Sequence, residues 1–139
     1  MSIVTTRFEI KTQGEIDIID VTAQVNSILR TSNIVEGLAT IFIGGSTGAI
    51  TTIEYESGAV SDLKKAIERM APRNMAYAHD ARWGDGNGFS HVRSALMGPS
   101  LQVPVSGGRL MLGTWQQIVF CDFDNRPRQR QIIVQILGD

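Results

Sequence analysis

The sequence predicts a compact α+β protein with one domain, residues 1–139, and a largely antiparallel β-sandwich-like core flanked by two or three helices. Segments of strand length occur at both ends of the chain, and segments with helical spacing lie mostly between them. Short turns join most neighbouring strands, which favours antiparallel pairing over a doubly wound sheet. A chain of 139 residues with 42% hydrophobic residues can also bury a single core without disulfides or metals.

Seven or eight strands are predicted from short alternating or β-branched segments. In residues 4–11, for example, Phe8 and Ile10 face one side and charged side chains face the other. The hairpin sequence Ser106-Gly107-Gly108 separates two of the later strands. The remaining predicted strands are residues 15–20, 38–43, 49–55, 101–105, 109–112, 116–124 and 129–137.

Helical spacing predicts two helices and a short third. The first follows an expected N-cap at Thr22. The second covers residues 58–71, with one apolar stripe, and ends before Pro72. Residues 91–97 form the short third helix. Residues 73–88 lack any periodicity and are predicted to be a loop.

Composition and charge exclude several classes of protein. The net charge of −1 does not indicate binding to nucleic acid or to a membrane surface. No signal peptide and no membrane-spanning segment are recognisable, so a cytoplasmic location is expected. The lone Cys121 excludes an intrachain disulfide and a cysteine-based zinc site, and its apolar strand predicts a buried, inert thiol.

The first candidate site is the loop of residues 44–48, Gly-Gly-Ser-Thr-Gly, between two predicted strands. Its backbone N–H groups and the hydroxyls of Ser46 and Thr47 could bind a phosphate, as a backbone nest does. It is not a P-loop, because no lysine follows and no helix begins there. An ordinary turn between strands is the alternative.

The second candidate site combines several polar chemistries in a short stretch. His79-Asp80 precedes Asp85, Asn87, His91 and Arg93. His91 suits acid–base work or metal ligation, and Arg93 suits a phosphate. Asp80 or Asp85 could orient the imidazole or bind Mg²⁺. A capping or core histidine and a surface ion pair are the alternatives. Two histidines are too few for a three-histidine zinc site.

Two further features have open interpretations. Arg126, Arg128 and Arg130 could contact a phosphate or lie on a solvated strand end. Trp115 could stack on a ligand ring, fill the core or lie in an interface.

Three segments resemble the YjbQ-like proteins, which are described as secondary thiamine-phosphate synthases. They are residues 37–58, residues 84–98 and the long run of residues 98–138, which contains Gly-Thr-Trp-Gln and ends in Val-Gln-Ile-Leu-Gly. The resemblance covers nearly the whole chain. It implies a compact α+β fold built on a β-sandwich-like core, and a homotrimer with pockets near the subunit boundaries.

The resemblance also implies a set of site residues. Those that stand at family positions are Ser46, Thr47, Glu54, Asn87, His91, Arg93 and Trp115. Many relatives carry histidines where this chain has Gly45 and Phe89. Of a three-histidine metal site only His91 would then remain. We therefore expect no protein-held transition metal, and we expect Phe89→His to increase zinc affinity.

The implied activity is a transfer that joins a pyrimidine pyrophosphate to a thiazole phosphate and releases pyrophosphate; the word secondary suggests a side activity. His91 and Asp85 are the expected catalytic residues, with Mg²⁺ as the ion that carboxylates would favour. Ser46, Thr47 and Arg93 would bind phosphate. Glu54, Asn87 and Trp115 complete the expected substrate contacts. The alternative is a non-catalytic trimer that binds a small phosphorylated metabolite, because two family histidines are missing.

Overall fold

The computed structural model describes residues 1–139 as eight strands and four helices. Its α+β class confirms the prediction from sequence. In chain order the elements are β1 Ser2–Thr12, β2 Asp17–Asp20, α1 Thr22–Ser32, β3 Gly37–Ile43, β4 Gly48–Ile53, α2 Ser57–Met70, α3 Ala78–Trp83, α4 Gly88–Met97, β5 Ser100–Ser106, β6 Arg109–Leu110, β7 Gln117–Asp122 and β8 Arg128–Gly138.

The strands form two antiparallel sheets. A five-stranded sheet has the order β1-β8-β3-β5-β6, and a three-stranded sheet has the order β2-β7-β4. The terminal strands β1 and β8 pair along their whole length, with Ser2 opposite Gly138 and Thr12 opposite Arg128. β7 lies in the centre of the smaller sheet between β2 and β4.

The molecule has three layers. A core cluster of 16 buried residues fills the space between the two sheets, and α1 contributes Val25 and Leu29 to it. A second cluster, containing Ile67 of α2, lies on the other face of the smaller sheet, where Met97 of α4 packs against it. The order is therefore the five-stranded sheet, the three-stranded sheet, and then α2 with α4.

Three details differ from the sequence predictions. β7 is buried on both faces, so it does not show the alternation predicted for residues 116–124. Thr22 is the first residue of α1 and not its N-cap; its Oγ1 donates to Asp20 Oδ1 at 2.6 Å and accepts from the Ile118 N–H at 2.8 Å. The region predicted as a loop contains α3, a helix without buried residues and hence without an apolar stripe.

The structure also bears on the cysteine and on the absence of a membrane-spanning helix, both predicted from sequence. Cys121 is buried in β7, and burial raises the pKa of its thiol to about 12, which confirms the prediction of an inert thiol. None of the four helices combines the length and the apolar content that crossing a bilayer requires.

Candidate functional site

The two histidines of the chain meet in one place. His79 lies on α3 and His91 on α4, and their ring centroids are 4.5 Å apart with the planes tilted by 48°. Both histidines belong to the second candidate site predicted from sequence. The short helix α3 brings His79 beside His91, the one position of the implied three-histidine site that this chain keeps.

The protonation of His91 follows from its partner. Its Nδ1 lies 3.1 Å from the backbone oxygen of Ser46 in the β3–β4 loop. A carbonyl oxygen can only accept, so Nδ1 carries a proton and donates it to Ser46; in the neutral tautomer with this bond, the lone pair is on Nε2. Ser46, a predicted phosphate ligand, thus contributes its carbonyl to the site by orienting His91.

His79 lies among carboxylates. Its Nδ1 is 3.2 Å from Asp85 Oδ1 and 3.6 Å from Asp80 Oδ1. This nitrogen is buried, yet it makes no hydrogen bond of acceptable geometry. The three side chains each place a ligand atom within 4.8 Å of the other two, so together they could hold a metal ion.

Three glycines shape this part of the chain. Gly84, which ends α3, and Gly86 have φ values of +72° and +69°, in the region that favours glycine, and they flank Asp85. Gly88 opens α4, and its N–H donates to Asp80 Oδ1 at 2.8 Å. A Cβ at position 88 would lie 2.6 Å from Tyr77 Cβ, so only glycine permits this approach.

A polar cleft adjoins the histidines. Its volume is about 370 Å³, and its six lining residues are all polar: Asp85, Asn87, Asp124, Asn125, Arg126 and Arg128. The Asn125 Nδ2 donates to the backbone oxygen of Asp85 at 2.9 Å and so joins the β7–β8 turn to the α3–α4 loop. The amide oxygen of Asn87 is buried and has no hydrogen-bond partner.

Asp124 is held in its ionised form within this cleft. Burial alone would raise the pKa of its carboxyl. Hydrogen bonds from Arg128, Asn125 and Asn87, together with the charge of Arg128, outweigh burial and hold that pKa below its ordinary value. The bond from Arg128 Nε to Asp124 Oδ2 is 2.6 Å long.

The loop of residues 44–48 is a turn between β3 and β4. None of its glycines has a positive φ, so the left-handed residue of a typical nest is absent. The Thr47 hydroxyl accepts from Arg130 Nη2 at 2.7 Å, and Arg130 also binds Asp122. The expected phosphate-binding hydroxyl of Thr47 is therefore already engaged inside the protein.

Arg93 lies in the interior and not in the cleft. Its side chain is fully buried, and its Nε donates to the Ala71 oxygen at 2.9 Å. Its Nη1 and Nη2 donate to Glu15 at 2.8 Å and Glu68 at 2.5 Å. With every guanidinium nitrogen engaged, the structure does not support the phosphate contact expected for Arg93.

Phe89 shares the interior face of α4 with Arg93. The guanidinium carbon of Arg93 lies 4.8 Å from the centroid of the Phe89 ring. Residues 89 and 91 are two positions apart, so their side chains point to opposite sides of the helix. This geometry therefore does not favour the expectation that Phe89→His would add a metal ligand beside His91.

The other two predicted residues, Glu54 and Trp115, lie together elsewhere. They line a separate pocket of about 340 Å³ whose remaining lining residues are Asp20, Tyr55, Glu56 and Gln117. This pocket is at the opposite end of the β4–β7 pair from the histidines, because Gly48 pairs with Asp122 whereas Ile53 pairs with Gln117. The structure thus divides the predicted site into two.

Sequence reasoning did not select five residues that the structure places at the cleft or beside it. They are His79, Asp124, Asn125, Arg126 and Arg128. His79-Asp80 belongs to the second candidate site predicted from sequence but is not among the expected catalytic or binding residues, and a solvated strand end is the alternative interpretation of Arg126 and Arg128. A turn that carries Asp, Asn and two arginines within five residues was the available indication.

The fold and the site define a class of protein: two antiparallel sheets layered against helices, with a cleft of carboxylate, amide and arginine side chains beside a pair of histidines at one sheet end. The chain belongs to the YjbQ family: the model described as "UPF0047 protein YjbQ-like" matches residues 6–139.

Relatives of similar length support this assignment. A UPF0047 protein of Methanothermobacter thermautotrophicus is 38% identical over 99% of this chain and 94% of its own length. The UPF0047 protein YugU of Bacillus subtilis is 37% identical over 94% of this chain and 96% of its own length.

Solved structures have the same fold. A hypothetical protein of Aeropyrum pernix K1 superposes with a TM-score of 0.91 at 32% identity, covering 98% of this chain and 99% of that one. A YbjQ-like protein of unknown function from Sulfolobus solfataricus P2 gives 0.89 at 29% identity, covering 99% and 100%. The names of these four proteins state no activity.

Proposed function

We propose that the protein binds a small phosphorylated molecule in the cleft between the α3–α4 loop and the β7–β8 turn. The observation that carries this proposal is the lining of the cleft, which is entirely polar and includes two arginines. Arginine guanidinium groups present fixed pairs of donors that match phosphate oxygens.

The arginines keep donors for a ligand. Only the Nε of Arg128 is engaged, by Asp124, which leaves both of its Nη groups without a protein partner. Arg126 is exposed and makes no ion pair or side-chain hydrogen bond. The two carboxylates of the lining oppose an anion, but Asp124 is neutralised by Arg128, so Asp85 is the one carboxylate of the lining without an arginine partner.

The unpaired oxygen of Asn87 indicates a second property of the ligand. A buried amide oxygen without a donor is costly, and such atoms in proteins nearly always have a partner. A hydroxyl or amino group on the bound molecule would supply the missing hydrogen bond. The favoured ligand therefore carries both a phosphate and a donor.

The imidazole pair suggests chemistry on the bound molecule. The lone pair on His91 Nε2 can accept a proton from the bound molecule, and the Ser46 carbonyl fixes the ring. The activity implied by resemblance is transfer of a pyrimidine group from its pyrophosphate to a thiazole phosphate, as a side activity. Binding without turnover is the second candidate, since Thr47 and Arg93 are engaged inside the fold.

The test is calorimetric titration with inorganic pyrophosphate, the pyrimidine pyrophosphate and the thiazole phosphate, followed by a turnover assay with the two precursors. Arg126→Ala should weaken binding by about ten- to a hundredfold, the value of one charge-assisted hydrogen bond. Arg109→Ala, at an exposed position on β6, is the matched control. Equal affinity in both variants would contradict the proposal, and binding without turnover would favour the non-catalytic form.

A further inference from the structure

We propose that His79, Asp80 and Asp85 form a binding site for a divalent transition-metal ion. This inference deepens the proposed function, because Asp85 also lines the polar cleft and a bound ion would adjoin it. It rests on the arrangement of three side chains from α3 and the loop after it, and not on the missing family histidines.

The separations between the donor atoms fit a common metal ion. Zinc binds imidazole nitrogen and carboxylate oxygen at about 2.0–2.2 Å, which puts two ligands of a tetrahedral site roughly 3.3 Å apart. His79 Nδ1 lies 3.2 Å from Asp85 Oδ1 and 3.6 Å from Asp80 Oδ1. All three ligand atoms lie within 4.8 Å of one another, so a small adjustment would close them around one ion.

The state of His79 Nδ1 is an independent observation. The nitrogen is buried without a hydrogen-bond partner, although a carboxylate oxygen is only 3.2 Å away. Only one other buried side-chain polar atom in the protein lacks a partner, the Asn87 oxygen in the adjoining cleft. A metal ion would satisfy the lone pair of this nitrogen and offset the charge of the two carboxylates.

The backbone orients the carboxylates. Asp80 Oδ1 accepts the Gly88 N–H at 2.8 Å, which is the kind of outer hydrogen bond that fixes a ligating carboxylate. Asp85 is placed by the left-handed residues Gly84 and Gly86 on either side of it. The Asn125 amide binds the Asp85 carbonyl and holds the loop against the β7–β8 turn.

The ligand set selects a class of ion. One imidazole and two carboxylates suit Zn²⁺, Mn²⁺, Fe²⁺ or Co²⁺, whereas Mg²⁺ and Ca²⁺ favour oxygen ligands alone. Three protein ligands also leave a coordination position open, as in catalytic zinc sites. An ion here would add positive charge beside the arginines of the cleft, where a phosphate oxygen could bind it.

The experiment is a zinc titration of chelator-treated protein by calorimetry, repeated with Co²⁺ and its visible absorption. The unmodified chain should bind one ion per chain. His79→Gln and Asp85→Asn should each lower zinc affinity at least tenfold, because each removes a ligand. Asp62→Asn, an exposed carboxylate on α2 without any ion pair, is the matched control and should bind as the unmodified chain does.

The outcomes separate this inference from the proposed function. No stoichiometric zinc binding, or unchanged affinity in His79→Gln with a native circular dichroism spectrum, would overturn the metal site. Pyrophosphate titrated into the chelated and the zinc-loaded protein tests the cleft separately. Zinc binding without pyrophosphate binding in either state leaves the metal site standing and removes the proposed function. Pyrophosphate binding without zinc binding would remove the metal site and leave the proposed function standing.

Discussion

At the scale of single residues, Arg93 shows how surroundings decide the role of a charged side chain. Its guanidinium lies over Phe89 and donates to Glu15, Glu68 and the Ala71 carbonyl. These bonds connect α4 to α2 and to the segment between β1 and β2. The residue type is the one that phosphate sites use, yet here it stabilises the packing of helices on the smaller sheet.

Arg93→Ala should therefore reduce the stability of the fold, because Arg93 holds the interior together and does not line the cleft. The change leaves the carboxylate of Glu15, whose side chain is 11% exposed, without one of its partners. Removing one member of a buried ion pair typically costs about 3–5 kcal/mol, and we expect the lower end because Glu68 remains partly hydrated. Urea unfolding followed by circular dichroism gives the value. A loss no larger than that of Arg126→Ala, an exposed control, would contradict this role.

Asp124 makes the stability of the folded protein depend on pH, and the direction of that dependence follows from the pKa of its carboxyl. The folded state holds the pKa of this carboxyl below its ordinary value of 3.8, against the effect of burial. The ionised form therefore adds stability above about pH 4, and that contribution disappears as pH falls through the folded pKa.

The stability difference between the unmodified protein and Asp124→Asn should accordingly be constant from about pH 5 to 7 and shrink below pH 4. Urea unfolding midpoints at pH 7, 5, 4 and 3 measure it. Asp62→Asn, at an exposed position on α2, should show no such change. A difference that grows on acidification would mean that the folded-state pKa of Asp124 is raised.

At the scale of elements, the α3–α4 hairpin positions both His79 and the cleft. The sequence predicted α2 within one residue at each end, because its apolar stripe is long and regular. It missed α3, since a six-residue helix with no buried side chain leaves no periodicity to detect. The meeting of His79 with His91 depends on that helix, so sequence reasoning could not anticipate it.

The arrangement of the strands explains why other residues predicted to share one site lie apart in the structure. Glu54 and the residues of the β3–β4 loop are close in sequence, but β4 separates them by its whole length. The antiparallel pairing predicted from the short turns is correct, but only the turn at Ser106-Gly107-Gly108 joins two paired strands, β5 and β6. The strands on either side of the 44–48 turn, β3 and β4, lie in different sheets. The side-chain partners of Thr47 and Arg93 depend on contacts between distant segments. Arg130 binds Thr47, and Glu15 binds Arg93. No pattern in the neighbouring sequence indicates either contact.

Gly88→Ala tests the hairpin as a unit. The added Cβ would overlap Tyr77 and press on Asp80 Oδ1 at 3.1 Å, so α4 must move relative to α3. We expect a lower melting temperature and at least tenfold weaker zinc binding, the latter resting on the proposed metal site. Gly107→Ala is the control: its φ of +59° makes it strained by about 1 kcal/mol, but it lies in a distant hairpin. Equal zinc affinity in the two variants would show that Gly88 does not position the carboxylate.

At the scale of the whole molecule, the outer face of the five-stranded sheet remains uncovered. The helices α2 and α4 pack on the smaller sheet, and no helix lies over the outer face of the five-stranded sheet. That face alternates polar and apolar rows. Thr5 and Gln135 form a hydrogen-bonded pair on it, while Ile3 and Phe42 are 64% and 38% exposed.

The homotrimer implied by the family resemblance would give this face a partner. Exposed apolar side chains grouped on one face of a sheet are typical of surfaces that associate. Light scattering coupled to gel filtration should return three times the 15.2 kDa mass of the chain. Phe42→Glu should shift the protein toward the monomer, because a carboxylate buried in an interface lacks a partner. Lys65→Glu, exposed on α2, should leave the trimer intact. A monomeric unmodified chain at micromolar concentration would contradict the trimer, and a trimeric Phe42→Glu variant would place the interface on another surface.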